Sequence, residues 1–358
     1  MVASLMPLPT RYKGRVMREI PVGLIGYGFG GSVFHAPLVR RTPGLRLDSV
    51  VTSRKEQIER MPGVRALGSV AELLADADIP VVIVSSPTGT HFEIGRAALL
   101  AGKHVVMDKP IAVAVSEADE LIALAQAKGL VLTAFHNRRW DGDFLTVKQC
   151  IANGWLGTVY SYEAHYDRFR PNVVARWKEQ RVSGSGTLYD LGPHLIDQTL
   201  QLFGMPRAVN AGIFFQREGA QAVDYFHLAL DYGRMRAILH SSMLVPRPGP
   251  HFAIHGDRGS YFSYGMDPQE TALMAGKLPG DPGWAADIVA RPGDLFLADG
   301  TERQVATLPG AWQTYYAVLA DCLHGGGPPP VDPSDARDGL KVIEAALRSA
   351  EERRTVDL

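Results

Sequence analysis

The chain has 358 residues, which at roughly 150 residues per domain suggests two domains. Hydrophobic residues at 46% and charged residues at 21% exclude wholesale disorder, and a net charge of −1 argues against a nucleic-acid binder working by broad charge attraction. Cys150 and Cys322 have no partner at metal or redox spacing, and no apolar stretch approaches the about 18 residues of a membrane span, which argues against a disulfide scaffold, a cysteine zinc site and a membrane protein.

Residues 1–19 carry Arg11, Lys13, Arg15 and Arg18 without the following apolar core of a secretory signal, so they read as a loose extension of a cytoplasmic protein. Ile20 to Ile25 is a short apolar run that suits a buried parallel strand. It runs into Gly26-Tyr27-Gly28-Phe29-Gly30-Gly31, where Gly26, Gly28 and Gly31 match G-x-G-x-x-G. In a dinucleotide fold the first glycine permits a tight turn, the second lets a pyrophosphate approach the backbone, and the third lets the helix pack on the strand. Pro37 is expected to kink or shorten that helix. Further apolar strands are predicted at Leu45 to Val51, Ile79 to Val84 and His104 to Met107, with helical stretches at Ala71 to Ala75 and Ile94 to Leu100 between them. This alternation predicts a doubly wound parallel sheet.

The second strand ends Val51-Thr52-Ser53-Arg54, without the carboxylate that usually bonds the ribose 2′-hydroxyl of NAD. Ser53 can donate to a 2′-phosphate and Arg54 can pair with one, so NADP is expected over NAD, NAD remaining the weaker alternative. The plainer reading is that Arg54 and Lys55 are solvated loop charges. Met107-Asp108-Lys109-Pro110 closes the fourth strand at the sheet edge where ligands of open α/β sheets bind. Taken without that context, Lys109 would be a surface lysine.

Downstream, Thr158 to Tyr166 and Phe226 to Tyr232 are strand-like, and turns such as Asp231-Tyr232-Gly233 and His255-Gly256 suit antiparallel hairpins. Leu188, Leu191, Leu195 and Ile196 predict a helix with one buried side, on which Asp190 and His194, four apart, share a face. A carboxylate beside an imidazole raises its pKa and orients it, as a general base requires. The pair also reads as a plain surface helix pair. Metal ligation would need a further ligand, and no His-Glu-x-x-His or cysteine cluster supplies one, so no metal is expected. Residues 265–310, rich in Gly and Pro, read as a long surface excursion, Gly325 to Pro330 as a turn or short linker, and Asp335 to Glu352 as a closing amphipathic helix.

Gly26-x-Gly28-x-x-Gly31, Asp108-Lys109-Pro110 and Gly184-x-Gly186 followed by Asp190-x-x-x-His194, in this order, resemble the Gfo/Idh/MocA family of oxidoreductases over about Ile20 to Leu358. Asp108 stands where the family usually has Glu, and Ser185 interrupts its triple-glycine stretch. His136 to Asp141, Tyr166 to Pro171, Thr187 to Asp190 and Asp224 to His227, with Val51 to Arg54, look like the bacterial NADP-dependent scyllo-inositol dehydrogenases. The resemblance implies an N-terminal Rossmann domain over 20–136 and a C-terminal α/β domain over 137–333 with a large, mostly antiparallel sheet that commonly forms the oligomer interface. Residues 334–358 would be a C-terminal helix and tail, and the assembly a homodimer or homotetramer. It implies hydride transfer between NADP and a cyclic polyol, scyllo-inositol and its 2-keto form. The alternatives are another sugar (an aldose, deoxy-sugar or dihydrodiol) and a cofactor-sensing regulator that has lost catalysis. The implied catalytic residues are Lys109, Asp190 and His194. Cofactor contacts fall to Gly26, Tyr27, Gly28, Phe29, Gly31, Ser53, Arg54, Ser86, Pro87, His91, Asp108 and Lys109. Substrate contacts fall to His136, Asn137, Asp167, Arg168 and Trp177, with Asp190 and His194.

Overall fold

In a computed structural model, which describes residues 18–282, 284 and 291–358, the chain builds two sheets. The first is parallel and holds six strands: β1 (Ile20–Ile25), β2 (Leu45–Val51), β3 (Arg65–Leu67), β4 (Val81–Val84), β5 (His104–Met107) and β6 (Leu132–Ala134). Their spatial order is β3-β2-β1-β4-β5-β6, which reverses direction between β1 and β4. The central strands are covered on both faces. Leu24, every residue of β4, and Val105 to Met107 have no exposed surface, which is why these strands read as unbroken apolar runs.

The second sheet holds nine strands: β7 (Val159–His165), β8 (Ala208–Phe214), β9 (Tyr225–Tyr232), β10 (Met235–Ser242), β11 (Phe252–Gly256), β12 (Gly259–Ser263), β13 (Gly293–Leu297), β14 (Glu302–Val305) and β15 (Val356–Asp357). The order is β14-β13-β12-β11-β7-β10-β9-β8-β15, antiparallel except between β7 and β10. Alternate residues such as Tyr162, Ala164, Phe226, Leu228, Ala237 and Leu239 are fully buried on the face covered by helices. The helix Pro333–Glu352, capped by Asp332 accepting from the Ser334 N–H at 2.9 Å, packs on β8 and on the helix Val115–Lys128, and so ties the two sheets together.

Several expectations change. The first helix is wound as a π-helix over Gly30–His35 and as an α-helix over Ala36–Arg40. The part that holds Pro37 runs for only five residues. The ring sits at the first turn of the α-helical part, where a missing N–H is tolerated. The predicted single helix around Asp190 is two, Gly186–Asp190 and Gly192–Phe203. Pro193, which cannot donate to the preceding turn, starts the second. Residues 265–310 are not a plain surface excursion. They contain the helix Gln269–Met274 and the strands β13 and β14, which extend the second sheet at its edge. The extension over 1–19 lies, up to residue 17, outside the described residues. Among the described residues no helix is long and apolar enough to cross a membrane.

Candidate active site

The strands β1, β4 and β5 deliver Gly26, Ser85 and Asp108 to one edge of the parallel sheet, beside the point where strand order reverses. Gly26 has φ 97°, a left-handed backbone that disfavours any side chain, and its N–H donates to the Val51 carbonyl at 3.1 Å. A Cβ on Gly31 would stand 2.1 Å from the Gly26 carbonyl oxygen, so the helix reaches the turn only without one. A Cβ on Gly28 would meet nothing within 4 Å. Gly28 and Phe29 are exposed, so this turn offers bare backbone to the crevice, as a pyrophosphate needs. Ser53 and Arg54 are exposed just past β2, and the Arg54 guanidinium reaches the Tyr27 carbonyl at 3.5 Å. The turn thus fits the pyrophosphate of a dinucleotide.

His91, expected among the cofactor contacts, is buried, with Nε2 2.9 Å from the Ser86 carbonyl and Nδ1 2.8 Å from the Pro110 carbonyl. Burial pushes its pKa down. The neutral ring lies between these two carbonyls and donates to one of them, so it ties together the loops after β4 and β5 instead of facing a ligand.

The Asp108 carboxylate accepts from the Lys109 N–H at 2.7 Å and the Ser85 hydroxyl at 2.9 Å, and His35 Nε2 lies 3.4 Å away. Burial opposes its charge, but His35 and Lys109 outweigh that and hold the carboxyl well below the usual range. A Cβ on Gly30 would fall 2.8 Å from Asp108 and 2.7 Å from the Ser85 hydroxyl, so this glycine admits the carboxylate under the cofactor turn.

Lys109 crosses to the second layer. Its Nζ donates to the Asp190 backbone carbonyl and, at 3.0 Å, to Asp190 Oδ1. Lys178 Nζ lies 2.6 Å from the same Oδ1. Burial pushes the Lys109 pKa down, Asp190 opposes that, and Lys178 adds to it. Burial also disfavours the Asp190 charge, but the two lysines hold its pKa well below the ordinary value.

His194 lies close by, 6% exposed, with no hydrogen bond to its Nδ1 among the described residues. Its pKa is not raised by Asp190, as the spacing suggested. Burial drives it well below 6.5, Lys109 and Arg138 push the same way, and Asp190 contributes only the smallest opposing effect. The break before Gly192 removes the regular helix that would have stacked the two side chains, and Asp190 is claimed by two lysines instead.

The expected substrate residues divide. Asn137 and His136 are buried, with His136 Nδ1 4.0 Å from Asp197, itself clamped by Arg139 at 2.6 and 2.9 Å. The Arg168 guanidinium lies over the Tyr166 ring at 4.8 Å, and its charge acts on Asp190. Trp177 carries Lys178 over its ring at 5.7 Å. Asp167 belongs elsewhere. Successive residues of an extended chain point to opposite faces, and Asp167 joins His165 and His240 on the other side. The sequence reading missed Lys178, Ser85, His35 and Gly30. Only Gly30 had a local signal, as the one glycine of its four-glycine cluster outside the G-x-G-x-x-G pattern.

A parallel dinucleotide-type sheet that converges with a second α/β layer on a half-buried lysine defines the class: an oxidoreductase on an NAD(P)-binding Rossmann domain. Residues 20–136 match the family model of an oxidoreductase NAD-binding Rossmann fold, and residues 148–358 that of the oxidoreductase C-terminal alpha/beta domain. The chain belongs to the Gfo/Idh/MocA oxidoreductase family. It is 44% identical to the scyllo-inositol 2-dehydrogenase (NADP(+)) IolW of Bacillus subtilis, over 98% of this chain and 99% of that one. It is 45% identical to the uncharacterised oxidoreductase YdgJ of Escherichia coli, over 95% and 99%. The solved structure of yvaA from Bacillus subtilis superposes with a TM-score of 0.92 at 43% identity, covering 96% of this chain and 99% of that one.

Proposed function

We propose that the chain is an NADP-dependent dehydrogenase of a ring CH–OH group, interconverting scyllo-inositol and scyllo-inosose. The observation that carries the reading is the half-buried Lys109–Asp190–Lys178 cluster with an uncharged His194 beside it, at the sheet edge where the cofactor turn lies. The likeness to IolW supports the substrate pair. The absence of a carboxylate after β2, with Ser53 and Arg54 in its place, supports NADP.

When bound, the nicotinamide supplies the hydride acceptor. The chain's residues do the rest. His194, held as neutral imidazole by its low pKa, is free to accept the proton of the reacting hydroxyl. Lys109 spends two of its three N–H donors on Asp190, and the third is available to the same substrate oxygen, where it stabilises developing negative charge. Asp190 keeps Lys109 charged against burial and fixes where its ammonium points. Asp190 is therefore a positioning partner of the lysine rather than of the histidine.

The test is a panel of inositols and aldoses with NADP and NAD, followed by absorbance of the reduced nicotinamide. Lys109→Ala and His194→Ala are expected to lower kcat about 10²- to 10⁴-fold. Near-normal turnover in either variant refutes the assignment. Tight NADP binding without turnover of any polyol or sugar favours a cofactor-sensing regulator instead.

A further inference from the structure

The nine-stranded sheet has a second face, the one that the resemblance offers to an oligomer interface, that the dehydrogenase chemistry does not use. On β7, Glu163 and His165 share this face, and Asp167 continues it two residues on, because side chains alternate along an extended chain. The strand-like pairing runs past the end of β7: the Arg168 N–H donates to the Ser242 carbonyl at 2.9 Å. β10 runs parallel beside β7 and sets His240 directly opposite His165. On the far side of β10, His227 of β9 faces His240. Their neighbours on the opposite face, Ala164, Leu228 and Leu239, are fully buried, whereas His165 and His240 keep 27% and 16% of their side-chain surface exposed.

We propose that His165, Asp167 and His240 form a binding site for a divalent first-row transition ion of the zinc type. Two imidazoles and one carboxylate are the donor set that such ions take, with further positions open to water. Their donor atoms lie within 4.8 Å of one another. His240 Nδ1 is 2.9 Å from Asp167 Oδ1, and His165 Nδ1 is 3.6 Å from Asp167 Oδ2. The two histidines face different oxygens of the Asp167 carboxylate, each at a separation near the about 3.4 Å between ligand atoms held about 2.0–2.2 Å from a tetrahedral zinc.

Two further observations point to an ion instead of a plain hydrogen-bonded cluster. His240 Nδ1 is buried and makes no hydrogen bond, because the ring does not aim it at the nearby carboxylate oxygen. A metal supplies the partner that a misaligned N–H cannot. The outer contacts are also in place. His165 Nε2 faces Glu163 at 3.5 Å, the carboxylate behind the imidazole that orients metal-bound histidines, and Asp167 Oδ1 accepts the Ser242 N–H at 3.0 Å. The sequence does not announce the site, because its ligands come from strands some 75 residues apart and carry no metal-binding spacing.

The experiment uses the untagged full-length chain, stripped with chelator and titrated with Co²⁺, whose visible absorption reports coordination, and then with Zn²⁺ in competition. One equivalent per chain is expected, together with a rise in the thermal midpoint as metal is added. His240→Ala and Asp167→Ala should abolish both signals, Glu163→Gln should weaken binding about tenfold, and His227→Ala should leave it unchanged. His165→Ala, at the more exposed position, carries the same test if the other variants do not fold. Failure of the unmodified chain to saturate at one equivalent overturns the proposal. So does binding that survives in His165→Ala or His240→Ala.

Discussion

Gly28→Ala and Gly31→Ala add the same methyl group three residues apart, and the structure assigns them opposite consequences. At Gly31 the new Cβ would stand 2.1 Å from the Gly26 carbonyl oxygen, more than 1 Å inside ordinary contact. That carbonyl belongs to a turn fixed by its φ of 97° and by the Gly26 hydrogen bond to Val51, so the strain falls on helix packing. Overpacking of this kind costs about 1–3 kcal/mol, which lowers the thermal midpoint of the empty protein by a few degrees. At Gly28 the methyl meets nothing within 4 Å, and the backbone is not left-handed there. The folded protein should keep its stability within about 0.5 kcal/mol. Should the bare backbone at Gly28 be where the pyrophosphate rests, the methyl removes one or two charge-assisted N–H bonds of about 1.5–3 kcal/mol each. The Kd for NADP then rises about tenfold or more. Differential scanning calorimetry of the empty protein and calorimetric titration with NADP separate the two effects. A Gly28→Ala protein with unchanged NADP affinity, or a Gly31→Ala protein of unchanged stability, refutes this account of the turn.

Other outcomes follow from the same contacts. Lys178→Met removes a positive charge that depresses the Lys109 pKa, so the alkaline limb of the pH–rate profile should move to higher pH; an unmoved limb detaches Lys178 from the site. Because the His194 pKa lies well below 6.5, its titration should cost no polyol oxidation between pH 6.5 and 8, and the acid limb should appear only below that range. Arg54→Asp should lower the ratio of NADP to NAD efficiency at least about tenfold by replacing a phosphate partner with a repelling carboxylate, and steady-state kinetics with both cofactors check it. The Asp143 carboxyl is pushed up to about 7 by burial and by Asp267. An acid whose folded pKa is raised stabilises the fold below its unfolded value and loses that contribution as pH rises through about 7. Urea midpoints at pH 5 and 8 should therefore converge in Asp143→Asn relative to the unaltered chain.

What could be read from the sequence follows from how each part is stabilised. The central strands of the parallel sheet are buried on both faces, and continuous apolar runs record that burial directly. β3 and β6, of three residues each, exist because neighbouring strands template them, and their composition carries no comparable pattern. The two layers of the site were legible as motifs, but their wiring was not. Spacing favoured an Asp190–His194 pair, because four residues on a regular helix share a face. Gly192-Pro193 breaks that helix, and Asp190 is left to Lys109 and Lys178, which arrive from chain positions 81 residues before it and 12 residues before it. Only a through-space contact can reveal such a partner. Asp167 and Arg168 make the same point. They are adjacent just past the end of β7, where the backbone continues the pairing with β10, and the structure turns their side chains to opposite faces, which the sequence alone did not show. Arg168 is left with Tyr166 and the charge of Asp190, and Asp167 with the histidines of the opposite face.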